Sequence, residues 1–397
     1  IFNFLLLLGF LSGCDYLDIV PDNLPTLEMA FNNKSSAERF LFTCYSFVPE
    51  HGKIGTDPGM DVGDEVWYYS DNSADYSNKT TFWIAKGMQN SNEPLVDYWN
   101  GTQWGKAMFV GIRDCNVFIE NIEKVPDLSA YDKETWKAEA KVLKAFYHFW
   151  MMRMYGPIPI IKENIPVSAG EDEVRVVRDK IDDIVTYIVS LIDESVEYLP
   201  LNIQNEAAEM GRITRPAAKA IKAKILAFAA SPFFNGNLDY ANFKNAEGEP
   251  FFNQVYDNEK WTKAADACLE AIQCAEEAGH GLYEFVNMSS TQLSDETILS
   301  LSNRCKVTER WNKELVWGCG QSGIRDLQVL CQPWLESNYS SDDRYHNARN
   351  GTFAPTLAVA ETFYTKNGVP MDEDKNYDYS KRYTTQVATE ADKYYIQ

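Results

Sequence analysis

Residues 137–156 read KAEAKVLKAFYHFWMMRMYG, and residues 178–200 read RDKIDDIVTYIVSLIDESVEYLP. In the first stretch Ala138, Val142, Phe146 and Phe149 recur three or four residues apart, the spacing that puts side chains on one face of an α-helix. Its second half, FYHFWMMRMY, is apolar nearly all round, which places it between neighbours. In the second stretch Ile181, Ile184, Val185, Ile188, Leu191 and Ile192 form one stripe. Gly156-Pro157 ends the first helix and Pro200 the second, because proline has no N–H to continue the ladder. Two stripes of this kind bury each other, so the fold is built helix on helix.

The same reading extends to both sides. SSAERFLFTCYSFV, residues 35–48, carries Ala37, Phe40, Leu41, Cys44, Tyr45 and Val48 on one face, with Ser35 or Ser36 as the N-cap. Its partner is WGKAMFVGIRDCNVFIENIEKV, residues 104–125, stopped by Pro126. A third pair comes next. TRPAAKAIKAKILAFAAS opens with Thr214 as cap and Pro216 in the first turn, and WTKAADACLEAIQCAEEAG ends on Gly279. Ala217, Ala220, Ala223, Ala227 and Ala230 leave little bulk, so these two helices approach closely, as tetratricopeptide (TPR) hairpins do. The expected fold is mainly α: TPR-like helix pairs in a helical-repeat scaffold, interrupted by long irregular inserts and a few short strands. ETILSLSN and KELVWGCG alternate enough to read as short strands. APTLAVAETFYTKNG, residues 354–368, reads as one further helix closed by Asn367-Gly368.

The 397 residues are 45% hydrophobic and 24% charged, a balance that supports a large core. The net charge of -21, from 58 acids against 37 bases, repels phosphate backbones, so nucleic acid is excluded as a partner. The eight cysteines include no CxxC pair, which argues against both a disulfide framework and a zinc site. Cys44, Cys115, Cys268 and Cys274 fall in apolar helical patterns and read as small hydrophobes. Four scattered histidines offer no metal cluster, and no cofactor is expected.

Motifs for catalysis fail on context. GCGQSG at 318–323 fits the dinucleotide fingerprint by spacing, but no βαβ alternation surrounds it and Pro333 breaks the segment after it, so it reads as a turn. The acidic runs at Asp71, Ser73 and Asp75, and at Asp372, Asp374 and Asn376, lack the glycine and glutamate of a calcium loop. Asp64-Glu65 are neighbours in sequence, a poor arrangement for flanking a glycosidic bond. There is no HExxH, GxSxG or P-loop, and no catalytic residue is assigned. Aromatic residues in the inserts are more telling: Trp67, Tyr68, Tyr69, Tyr76, Trp83, Tyr98, Trp99, Trp334 and Tyr339 sit among Asp, Asn, Ser and Gly. A planar apolar face beside amides and carboxylates suits a sugar ring, whose C–H face stacks while its hydroxyls need paired partners. Any one of these rings equally serves to pin an insert to the scaffold. The candidates for ligand contact are Trp67, Tyr68, Tyr69, Trp83 and Trp334.

The chain begins IFNFLLLLGFLSGC. The apolar run is too short to cross a bilayer as a helix and reads as the remnant of a secretory leader over residues 1–13. Leu11-Ser12-Gly13-Cys14 resembles the bacterial lipobox, which makes Cys14 the expected lipidation site, with palmitate among its acyl chains. Residues 14–30 then form the lipidated N-terminus and tether, and residues 31–397 a single helical domain. Acyl chains anchor such a protein to a membrane without a spanning helix.

CDYLDIVPDN after the lipobox, WKAEAKVLKAFYHFWMMRMYGPIPII, GRITRPAAKAIKAKILAFAASPFFNG and PTLAVAETFYTKNGVPMDEDKNYDY occur in an order that resembles the SusD/RagB family of Bacteroidetes outer-membrane lipoproteins. The resemblance implies a nutrient-binding lipoprotein without catalysis of its own, held in the outer membrane and facing the extracellular side. Such a protein caps a SusC-like TonB-dependent transporter and hands it a glycan or, in some members, a peptide. A TPR-type lipoprotein that binds other proteins is the competing expectation. The resemblance also implies further helices beyond Tyr383, and the leader lacks the Met and basic stretch that normally open one, so the sequence is expected to be truncated at both ends. The family's ligand residues lie in variable loops, so the choice of aromatics rests on composition and loop placement.

Overall fold

Helix α1, Lys34–Tyr45, is capped by Asn33, whose side-chain oxygen accepts from the Ser36 N–H at 2.9 Å. The cap is therefore neither Ser35 nor Ser36. Asn33 has the extended backbone a cap requires, whereas both serines are already helical. The computed structural model describes residues 27–50, 59, 62–68, 80–320, 331 and 353–384; Cys14 and most of its tether lie outside these. Helix α2 spans Met108–Asn121 and starts later than the periodicity suggests, because Gln103 and Trp104 hold φ values of 48° and 69° that no α-helix contains. Helix α3, Ala130–Tyr155, starts earlier, since the Ser129 hydroxyl accepts from Asp132 N–H at 3.0 Å. It ends at Gly156, with φ 70°. Helices α4 (Ile181–Asp193), α5 (Arg215–Ala230) and α6 (Glu259–Glu277) come after it. Thr214 caps α5 and Pro216 stands in its first turn, as the sequence indicates.

The described residues fall into two compact units, one containing those up to Val48 with Ala107–Gly318, the other those of Pro49–Lys106 and Cys319–Gln397. The first is the helical scaffold. At its centre α3 packs against α2 and α4, burying Leu143, Tyr147, Phe149, Trp150, Met151 and Met152. Each large side chain buried in this way contributes about 1.5–3 kcal/mol by leaving water. Helices α5 and α6 meet through Ala223, Ala267 and Ala271, the close approach that the alanine spacing implies. Gly111 in α2 serves the same end, since a Cβ there would lie 2.8 Å from Phe47 Cγ. Cys44, Cys115 and Cys274 are buried as expected, but Cys268 is exposed. It lies outside the buried positions Ala264, Ala267, Ala271 and Cys274 of α6.

Three local expectations are corrected. ETILSLSN is not a strand but part of helix α7, Asp295–Thr308, capped by the Ser294 hydroxyl accepting from Thr297 N–H at 3.2 Å. KELVWGCG forms turns rather than a strand, because Trp317 is drawn inward, donating through Nε1 to Gly211 O at 3.0 Å and meeting Phe146 edge-on. Residues 354–368 are not one helix. They give strand β2, Phe353–Pro355, a single turn at Leu357–Ala360, and a fold-back in which Thr365 Oγ1 and Asn367 Nδ2 both donate to Asp374. Those bonds, with Asn376 N–H on the other oxygen, occupy the carboxylate that the weak calcium pattern would have needed. Strand β1, Val66–Tyr68, pairs antiparallel with β2 in the second unit, Trp67 opposite Ala354. Among the described residues no helix is long and apolar enough to cross a membrane.

A buried ion pair ties the helical unit together. Arg212, in the turn before α5, donates from Nη2 and Nε to the Glu139 carboxylate of α3 at 2.7 and 3.2 Å. Tyr45 at the end of α1 donates to the same carboxylate at 2.6 Å, and its hydroxyl accepts from Ile213 N–H at 2.8 Å. Burial pushes the Glu139 carboxyl upward, and Arg212 and Tyr45 oppose that by stabilising its charge. Removing one partner leaves the other charge buried, so Glu139→Ala lowers the unfolding free energy by about 3 kcal/mol in denaturant titration. The double change Glu139→Leu with Arg212→Met recovers most of that loss. A double variant as weak as the single one would show that the pair itself is the stabilising element.

His148 gives a pH signature. It is fully buried on α3; its Nδ1 faces Lys144 O at 2.8 Å and must donate, so Nε2 is the acceptor for Ile161 N–H at 3.2 Å. Protonation would set a second N–H against that backbone donor. Burial lowers its pKa from 6.5 to about 4. Between those values the unfolded chain takes up a proton that the folded chain refuses, so stability falls as the pH drops through this window. His148→Gln flattens the fall between pH 6.5 and 4 by about 3 kcal/mol in urea midpoints, and an unchanged slope would refute the assignment.

Candidate ligand site

The second unit carries the candidate aromatics that the structure describes. Trp67 stands in β1, whose end is fastened by Thr356: its hydroxyl donates to Asp64 O at 2.6 Å and its N–H to Glu65 O at 3.1 Å. The Trp67 ring is 39% exposed and meets Phe82 edge-on, centroids 5.0 Å apart at 89°. Phe82 is buried on the short helix Thr80–Ala85. The next residue on that helix points about 100° away, and it is Trp83, 42% exposed with Lys86 Nζ 5.9 Å from its ring. Trp67 therefore packs on the chain neighbour of Trp83. Tyr68 belongs to β1 by its backbone, opposite Phe353, whereas Tyr69 and Trp334 lie outside the described residues, as do Tyr76 and Tyr339. Tyr98 is buried and pins its loop to the interior.

The loop after this helix is braced by side chains. Gln89 donates to Val96 O at 2.8 Å and accepts from Leu95 N–H at 2.7 Å. Asp97 accepts from Trp99 N–H, Asn100 N–H, the Asn100 amide and the Thr102 hydroxyl, all within 2.8–3.2 Å. Burial alone would raise its pKa, but these donors prevail and hold it below the ordinary carboxylate range. Gly105 closes the loop against the Asp97 carbonyl, where a Cβ would come to 1.8 Å. Only glycine fits there.

In this frame Trp104 takes φ 69° and leaves its side chain 62% exposed. A bulky residue in the left-handed region costs about 1–3 kcal/mol, and an indole so exposed returns little by burial. That combination makes Trp104 a candidate for contact with something outside the fold. The helical periodicity hid it, since Trp104 sits one turn before Met108 and passes for the start of α2. The turn chemistry of Asn100-Gly101 and Gly105 on either side is the signal that could have found it. Indoles of this kind offer flat C–H-stacking faces, and the neighbouring loop amides and carboxylates supply hydrogen-bonding groups. Among the described residues no group of three or more His, Cys, Asp or Glu is placed to hold a metal ion.

A family model described as SusD-like, "Starch-binding associating with outer membrane", matches residues 15–226, more than half of the chain. The protein belongs to the SusD-like family. Among solved structures, the SusD-like chain resembles BT4246 at 28% identity, covering 87% of its own length and 59% of that chain with a TM-score of 0.68. A SusD-like protein (BF3747) from Bacteroides fragilis NCTC 9343 matches at 16% identity over 86% of this chain and 55% of that one, TM-score 0.60. Surface glycan-binding protein A from Bacteroides uniformis shares the fold at 16% identity, 83% and 61% coverage and TM-score 0.52. The SusD-like chain therefore spans less than two thirds of each of these proteins. No curated protein matches it.

If Trp104 is kept in spite of its backbone, Trp104→Gly raises the unfolding free energy of this SusD-like protein by about 1 kcal/mol, the relieved strain outweighing the added chain entropy. A clear loss of stability in thermal melts would mean that the ring is structural.

Proposed function

We propose that this SusD-like protein is a cell-surface lipoprotein that binds glycans without altering them and delivers them to a SusC-like TonB-dependent transporter. The carrying observation is Trp104, an exposed indole on a braced, strained loop, in the same unit as the partly exposed Trp67 and Trp83. The family's description as starch-binding and associated with the outer membrane supports the reading. So does the fold shared with a protein named for surface glycan binding. Each indole stacks on a sugar ring while loop amides and carboxylates meet the hydroxyls. Lipid on Cys14 holds the protein at the outer membrane on the extracellular side, and the transporter receives what the aromatic surface has captured. The acidic surface, at net charge -21, suits neutral glycans better than polyanionic ones.

Affinity electrophoresis in gels containing starch and other neutral polysaccharides tests this directly. Trp83→Ala and Trp104→Gly each weaken retention about threefold to tenfold, the range expected for one lost aromatic contact, and leave the polysaccharide's reducing ends unchanged. Unaltered retention in both variants, shortened polysaccharide, or binding of peptides in place of glycans would each overturn the reading.

A further inference from the structure

The helical unit contains a cavity of its own, of about 430 Å³. It lies between the turn that precedes α5, the Ala278–His280 end of α6 and the segment from Trp311 to Gly318. The volume falls within the roughly 300–1,000 Å³ of small-molecule sites. Ile203, Met210 and Leu315 form part of its wall together with two indoles. Trp317 is a structural member, locked to Gly211 and Phe146. Trp311 differs. Its backbone takes φ 53°, so a bulky side chain again sits where glycine would cost least, and its ring edge closes over the bare backbone of Gly211, itself at φ 98°.

Four polar residues of this wall keep groups that the fold does not use, whereas Asn312 and Thr214 are spent on the backbone. His280 Nδ1 lies 3.1 Å from Lys313 O; a carbonyl only accepts, so Nδ1 carries the proton and Nε2 is left as an acceptor in the neutral ring. Lys313, Glu206 and Asn202 line the same cavity, and among the described residues their side chains make no hydrogen bond or ion pair. Arg212, in the same wall, shows the contrast: it is consumed by Glu139 and Glu209. Separate donors and acceptors around an indole match a neutral polyol, in which every hydroxyl both gives and takes a hydrogen bond. Glu206 and the net charge of -21 oppose a phosphate or sulfate.

We propose that this cavity is a second saccharide site, holding one or two sugar units against Trp311, with Lys313 and Asn202 donating and Glu206 and His280 accepting. It belongs to the helical unit and uses none of Trp67, Trp83 and Trp104.

Isothermal titration of the full chain with maltotriose, cellotriose and mannotriose tests it, starting from Trp83→Ala/Trp104→Gly, in which the exposed surface is disabled. That double variant still binds one equivalent of at least one trisaccharide. Adding Trp311→Gly weakens the remaining binding at least tenfold without lowering the melting temperature. Lys313→Ala, at a solvent-exposed position, weakens it about threefold and covers the case in which the Trp311 variant folds poorly. The proposal falls if the double variant binds no trisaccharide, if neither added change alters the residual binding, or if trialanine binds there and the sugars do not. Loss of binding through Trp311→Gly alone, with the double variant behaving like the parent, would support the cavity while counting against the exposed surface.

Discussion

The helical unit depends on one buried ion pair. Glu139 and Arg212 are both nearly without solvent, and a charge in that position is tolerated only when it is paired and hydrogen-bonded. Tyr45 and Arg212 supply three donors to the carboxylate, so the end of α1, the middle of α3 and the turn before α5 have one mutual arrangement that satisfies it. Hydrophobic stripes alone would allow the helices to slide by small steps; the carboxylate has no such freedom. By fixing one arrangement, the pair specifies how these three segments meet. That role reaches further, because Gly211 and Thr214 flank Arg212. The fixed guanidinium sets the carbonyl on which Trp317 is hung and the start of α5, and with them one wall of the cavity.

The aromatic unit is held by another kind of bond. Its loop from Gln89 to Gly105 carries few core residues, and most of its order comes from short-range hydrogen bonds between side chains and the backbone. Asp97 alone organises the turn as far as Thr102. Such bonds fix a loop without a stripe of apolar residues, which frees the remaining side chains to face solvent. The scaffold and the aromatic loop thus have separate physical origins: burial organises the first, and satisfied carboxylates and amides the second.

This division explains how much of the molecule is legible in the sequence. Helices α1 to α6 announce themselves because each buries a stripe at three- and four-residue spacing, and Thr214 with Pro216 even marks a boundary. Helix α7 does not, because it has no buried residue and so no stripe to see; Ile298 and Leu299, followed by Leu301, imitate alternation instead. The segment 354–368 contains helix-prone residues, but the pull of Asp374 on Thr365 and Asn367 turns the chain back, and that contact is tertiary. Composition is enough to find Trp67 and Trp83. It misses Trp104 and Trp311, since nothing in a residue's identity reveals the sign of its φ.

Among the described residues the non-glycine positions with positive φ are Gln103, Trp104 and Trp311. Two of the three are tryptophan, which disfavours that backbone more than asparagine or aspartate would, and they occur in different units with no shared core. Each backbone is therefore set by its own loop, and ligand contact is the role proposed above for both rings. If each unit grips a sugar, as proposed above, a glycan that engages both gains affinity through effective concentration and not through a new contact.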